Sequence, residues 1–139
     1  MSRQAVIVDT NVIVAGLLTG NDASPVARIF DGMLSAAFPF VVSEALLSEY
    51  RTVLVRPGLR KLHGLTIAQV ETLLTDIAQH AIVVAPVAAL PAPDPGDQFL
   101  WDMLAARPDV SLVTGDKALQ SNLPMRSRVL SPKAFIESW

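Results

Sequence analysis

Carboxylates recur in this sequence where an apolar strand or helix would present them. Asp9 follows the β-branched run Ala5 to Val8, and Asp116 closes the turn Thr114-Gly115-Asp116 after Val110 to Val113. In open α/β sheets ligands bind beyond the carboxyl ends of strands, so these two acids are expected on one edge. Either alone is equally accounted for as a turn former or cap, and the pair less easily so. Asp97 opens a helical pattern after a proline-rich stretch. On a wheel of about 100° per residue it lies about 90° from the centre of the stripe Phe99, Leu100, Met103 and Leu104, with Asp102 at about 130°. Asp97 also suits the first turn through the helix dipole. Glu49 lies about 100° from the centre of its own stripe and Glu44 about 120°, so the wheel separates them only slightly.

Gathered acids need compensation. Two unit charges about 5 Å apart repel by roughly 3 kcal/mol at an effective dielectric near 20, which raises pKa values or calls for a cation. The chain has no Cys and only two His. An all-oxygen donor set selects Mg²⁺ or Mn²⁺, ions usually completed by water and substrate phosphates. That chemistry is phosphodiester hydrolysis, with a metal-bound water as nucleophile and phosphate charge neutralised by the ion.

The elements that must position these acids alternate. Ala5 to Val8 is a buried strand, read as running into a turn at Asp9-Thr10-Asn11. Ser24-Pro25 opens a helix to about Leu34, and Phe40 to Val42 is a second strand. Ser43 caps a helix carrying Leu46, Leu47, Tyr50, Val53 and Leu54, which Pro57-Gly58 stops. A helix from about Thr66 to His80 leads into strand Ile82 to Val84. Pro86 to Gly96 holds four of the ten prolines and reads as a stiff loop. A helix from Asp97 to about Arg107, the strand Val110 to Val113, a short helix, a strand near Val129-Leu130 and a helix capped by Ser131-Pro132 complete the chain. This βα alternation predicts an α/β fold with a parallel sheet covered on both faces.

The 139 residues make one domain, and 11 Lys plus Arg against 13 Asp plus Glu give a net charge of −2, unlike a histone-like nucleic-acid binder. With four acids at a metal site, the remainder is 11 basic against 9 acidic groups, or +2. Hydrophobic residues form 51% and charged ones 17%, too apolar for disorder and suggestive of a homodimer with further surface for a partner. Asp9 interrupts any signal-length apolar region near Met1-Ser2-Arg3, and no apolar run approaches the roughly 20 residues of a spanning helix, so a soluble, cytoplasmic protein is expected.

These residues resemble those of the PIN-domain nucleases, and among them the bacterial toxin components of type II toxin-antitoxin pairs. The resemblance covers nearly the whole chain. It rests on Ala5-Val6-Ile7-Val8-Asp9-Thr10-Asn11-Val12, on Ser43-Glu44-Ala45-Leu46-Leu47-Ser48-Glu49-Tyr50 followed by Val53-Leu54-Val55-Arg56-Pro57, on Asp94-Pro95-Gly96-Asp97, and on Val113-Thr114-Gly115-Asp116-Lys117. It implies a three-layer α/β/α sandwich with a central, mostly parallel sheet over residues 1–139. It also implies that Asp9, Glu49, Asp97 and Asp116 are the catalytic metal-site acids, choosing Glu49 over Glu44 and Asp97 over Asp94 and Asp102. Thr10, Asn11 and Thr114 match positions that orient the acids or metal-bound water. Gly96 departs from the pattern, since relatives often carry a further Asp there.

The implied activity is an Mg²⁺- or Mn²⁺-dependent endoribonuclease leaving a 5′-phosphate and a 3′-hydroxyl, with a small antitoxin as partner. For RNA contacts, Arg51, Arg56, Arg60 and Lys61, with His63, lie in a stretch free of acids, and Lys117 adjoins Asp116; a solvated helix end explains the stretch as well. A catalytically silent PIN-like module acting through partner or nucleic-acid binding is the alternative. A haloacid dehalogenase-like phosphatase would need Asp where Asn11 stands, and a response-regulator receiver matches only in fragments.

Overall fold

The computed structural model describes residues 4–85, 87–122 and 128–139. Met1 to Arg3, in the expected signal-free start, and Pro86, in the expected proline loop, lie outside them. Strands β1 (Val6–Val8), β2 (Val41–Val42), β3 (Ile82–Val83), β4 (Ser111–Val113) and β5 (Val129–Leu130) all pair in parallel. β4 stands between β1 and β5, with Val8 opposite Val113, and β2 pairs with β3. A bridge from Val6 to Phe40 joins the two groups into the order β3-β2-β1-β4-β5. Every residue of β1, β2 and β4 is buried. Only a sheet covered by helices on both faces buries both sides of a strand.

The connections start at β1, run outward to β2 and β3, then return past β1 to β4 and β5. β1 and β4 therefore flank the point where the winding reverses, and a crevice opens beyond their carboxyl ends. Asp9 directly follows β1, and Asp116 lies three residues beyond β4.

The helices are α1 (Thr10–Leu18), α2 (Pro25–Leu34), α3 (Glu44–Leu54), α4 (Pro57–His63), α5 (Ile67–His80), α6 (Gln98–Ala106), α7 (Lys117–Gln120) and α8 (Pro132–Ser138). Ser24, Ser43, Thr66 and Ser131 cap α2, α3, α5 and α8 through side-chain oxygens, and Thr66 with Gln69 forms a reciprocal capping box. Two expectations need correction. Thr10-Asn11 is the start of α1, not a turn, because Asp9 itself caps the helix; α1 is apolar almost throughout, so no polar face marked its period. Pro57 does not simply end a helix: α3 stops at Leu54, and Pro57 opens α4 at the first position, where its missing N–H costs nothing.

The loop before α6 also differs in detail. A single 3₁₀ turn, Pro95–Asp97, precedes it, so Asp97 stands just before the α-helix. α1 and α2 approach closely at Gly16, where a Cβ would lie 2.6 Å from the Val26 carbonyl oxygen and 2.7 Å from Phe30 Cβ. Among the described residues no helix is long and apolar enough to cross a membrane.

Candidate metal centre and active site

The extended backbone of Asp9 carries the chain from β1 into α1 and leaves the carboxylate at the helix start. Its Oδ1 accepts from the Thr10 amide at 2.8 Å. Its Oδ2 accepts from Thr114 Oγ1 at 2.7 Å and from Asn11 Nδ2 at 3.2 Å. Capping thus uses one oxygen, while the other is oriented by two side chains. Asp9 is buried, at 7% exposure.

Thr114 and Asn11 bind the two strand ends together. Thr114 Oγ1 also accepts from the Asp116 amide at 3.0 Å, and Asn11 Oδ1 accepts from the Gly115 amide at 3.0 Å. Asp116 Oδ1 accepts from the Ala118 amide at 2.9 Å, capping α7. Gln120 Nε2 donates to the Thr114 carbonyl at 2.6 Å and holds the turn from behind.

Glu49 reaches the same place from α3 because of its neighbour. The buried Tyr50 hydroxyl donates to the carbonyl oxygen of Val8, the last residue of β1. Burial, and after it the Asp9 carboxylate, pushes the Tyr50 pKa far above its ordinary value, so the hydroxyl stays a donor. Glu49 is half-buried at the cleft, whereas Glu44 is exposed in the first turn of α3. The three acids near α6 also separate. Asp102 Oδ1 accepts from the Ala89 amide and Gln98 Nε2, both at 3.1 Å, and so secures the proline loop. Asp94 Oδ1 accepts from the Gly96 amide at 2.8 Å. Asp97 makes no capping bond and faces the cleft.

Asp9, Glu49, Asp97 and Asp116 line one cleft of about 440 Å³, with Thr10 and Asn11 and with Val14, Ala15 and Val53 as apolar wall. A larger hollow of about 650 Å³, lined by Leu90, Pro91, Trp101, Ala105, Arg128 and others, carries no carboxylate. Arg128 donates instead to the carbonyls of Leu104, Arg107 and Val110. The acids, not the size of the cavity, mark the site.

The cleft's carboxylates act on one another. Burial raises the Asp9 pKa, Thr114 and the Thr10 amide pull it back, and Asp116 and Glu49 raise it further. Asp97 is pushed up to about 6, by burial first and then by Asp9, Asp94, Asp116 and Glu49. Among the described residues no Lys or Arg forms an ion pair with any of the four cleft acids. Thr10 Oγ1 is buried and has no hydrogen-bond partner among the described residues, and its residue lines the cleft. Hard oxygen donors, repelling charge and an orphaned hydroxyl fit a hydrated divalent cation. As the side chains stand, no three His, Asp or Glu among the described residues are grouped to hold an ion at once.

The basic candidates are dispersed. Arg51 ion-pairs with Glu71 of α5. Arg56 is exposed before α4, and Arg60 and Lys61 line a separate hollow. His63 bonds the Leu54 carbonyl and accepts from the Leu65 amide, each at 2.9 Å, tying α4 to its neighbours. Lys117 is exposed at the start of α7. Sequence reasoning missed the Tyr50 anchor, whose apolar register hid the hydroxyl's task, and the influence of Asp94, whose only signal was its nearness in sequence to Asp97.

A family model described as a PIN domain matches residues 5–118. None of the curated proteins searched matches the chain.

Proposed function

This chain belongs to the PIN-domain family, a nuclease-type fold, and on that premise we propose that it is an Mg²⁺- or Mn²⁺-dependent endoribonuclease, the toxin of a type II toxin-antitoxin pair. The observation that carries the reading is the convergence of Asp9, Glu49, Asp97 and Asp116 on one cleft at the winding reversal, with no cation from the described residues paired to them.

A bound divalent ion supplies neutralisation of phosphate charge and a water acidified for attack. The four carboxylates would hold it. Thr114 and the Thr10 amide favour the ionised form of Asp9, and Asn11 helps fix its Oδ2. The Thr10 side chain forms part of the cleft wall. Lys117, beside Asp116, offers positive charge to the substrate backbone, as Arg56 does from before α4. On this reading the protein works in the cytoplasm, on RNA. Its apolar composition suits a homodimer, and a small antitoxin would cover the remaining apolar surface; light scattering after size exclusion reads the first, and rescue of growth by a neighbouring gene the second.

Digestion of several RNAs with Mg²⁺ and with EDTA, wild type beside Asp9→Asn, tests the activity. Cleavage is expected only for wild type with metal; an Asp9→Asn protein that cuts as fast sinks the assignment. The silent binding module draws support from the absence of a ready three-ligand group among the described residues. Calorimetry decides between the two: Mn²⁺ binding favours the nuclease, and its absence the module.

A further inference from the structure

Next to the acid cleft lies a second hollow, of about 380 Å³, that shares Asn11, Ala15 and Asp116 with it. The two spaces adjoin along these residues, so a group held at the acids borders the hollow directly. The shared wall is fixed in place. Asn11 Nδ2 donates to Asp9 Oδ2 at 3.2 Å and to Thr114 Oγ1 at 3.3 Å, and its Oδ1 accepts from the Gly115 amide at 3.0 Å. The rest of the lining is Gly115 itself with Val12 and Ala15 of α1, Val26 of α2 and Pro132, the first residue of α8. Close approach of α1 to α2 at Gly16 holds that side together.

The lining selects the occupant. Val12, Ala15, Val26 and Pro132 are apolar, and among the described residues that line the hollow Asp116 alone is charged. With a carboxylate at its edge and no cation in its lining, the hollow repels a phosphate. It suits a flat, uncharged group that sheds water on burial. A nucleotide whose phosphate sits at the acids carries such a group, its base, and the unpaired bases of single-stranded RNA are readily splayed out into pockets. We propose that this hollow seats the nucleobase of a nucleotide flanking the bond that is cut. Aliphatic walls cover the face of a base without reading its edge, so the contact positions the strand and tolerates different sequences. The inference rests on the nuclease reading, which puts the phosphate at the acids.

The test is cleavage of a short single-stranded RNA in Mn²⁺, with the base at each position in turn replaced by hydrogen and the ribose kept. Removing one base beside the cut is expected to lower kcat/KM about fivefold, the low end of what a stacked base contributes, because the walls are aliphatic. Val26→Phe and Pro132→Phe fill the hollow from two different helices, so one reports where the other folds poorly. Each is expected to cut intact RNA about fivefold more slowly, to cut the RNA lacking that base as wild type does, and to bind Mn²⁺ unchanged by calorimetry. The two losses are then one loss, not additive. If no base beside the cut matters, or if the filled variants remain as sensitive to its removal as wild type, the base site is overturned and the nuclease reading stands. A wild type that cuts no RNA removes the nuclease reading and this inference with it.

Discussion

Thr114 Oγ1 donates to Asp9 Oδ2 at 2.7 Å across 105 residues of sequence, and the same oxygen accepts from the Asp116 amide at 3.0 Å. One hydroxyl therefore sets the position of acids from both strand ends. It also acts on charge: the Thr114 bond is the largest influence opposing the burial that raises the Asp9 pKa.

Thr114→Val keeps the shape and removes the hydroxyl. Mn²⁺ affinity is expected to fall about tenfold or more, as for other groups that orient metal-binding carboxylates, with about 1–2 kcal/mol of stability lost. Calorimetry of the folded variant checks this, and an unchanged affinity would refute the role.

Asp97 gives the metal-free protein a distinctive response to acid. It titrates at about 6 when folded, against an ordinary 3.8. Between those values the folded state binds more protons than the unfolded one, so stability falls as pH rises from about 4 to about 6. The Asp9 shift acts in the same direction. Asp97→Asn should flatten the dependence and add on the order of 1 kcal/mol of stability at pH 7, once solvent screening of this half-buried group is allowed for, read as a higher melting temperature. Thermal melts in EDTA at several pH values measure it; a slope identical to wild type would contradict the account.

Tyr50→Phe leaves the ring in the core and removes the bond to Val8. The expected loss is about 1–3 kcal/mol of stability, for a buried carbonyl deprived of its donor. Because α3 then loses its tie to β1, metal affinity should fall as well. Ile77→Val on α5, a core truncation of about 1 kcal/mol, is the comparison: it should lower stability without touching Mn²⁺ binding.

Gly16→Ala forces a methyl into contacts of 2.6 Å and 2.7 Å with α2. Overpacking of this kind costs about 1–3 kcal/mol, readable as a lowered denaturant midpoint. A variant as stable as wild type would mean that α1 and α2 separate more freely than their packing suggests.

The βα alternation, the caps at Ser24, Ser43 and Ser131, and the placement of Asp9 and Asp116 after strands were legible in the residues, because capping and strand burial are local and leave local signatures. α1 was not, since a helix apolar on nearly all sides shows no period, and neither was α4, since a proline that ends one helix is equally able to begin the next. The sequence pattern brought Glu44 and Glu49, and Asp94, Asp97 and Asp102, forward as rivals that helical angles barely separated. The tertiary structure divided them by what each carboxylate touches. Asp102 secures a loop, Asp94 turns onto the Gly96 amide, Glu44 is exposed, and Glu49 is brought to the cleft by a tyrosine hydroxyl bonded to a strand 42 residues away. Residue types and spacing determined which chemistry was available; contacts between residues distant in the chain decided which acids share one field, because charge interactions depend on separation in space and on burial, and neither is written in sequence distance.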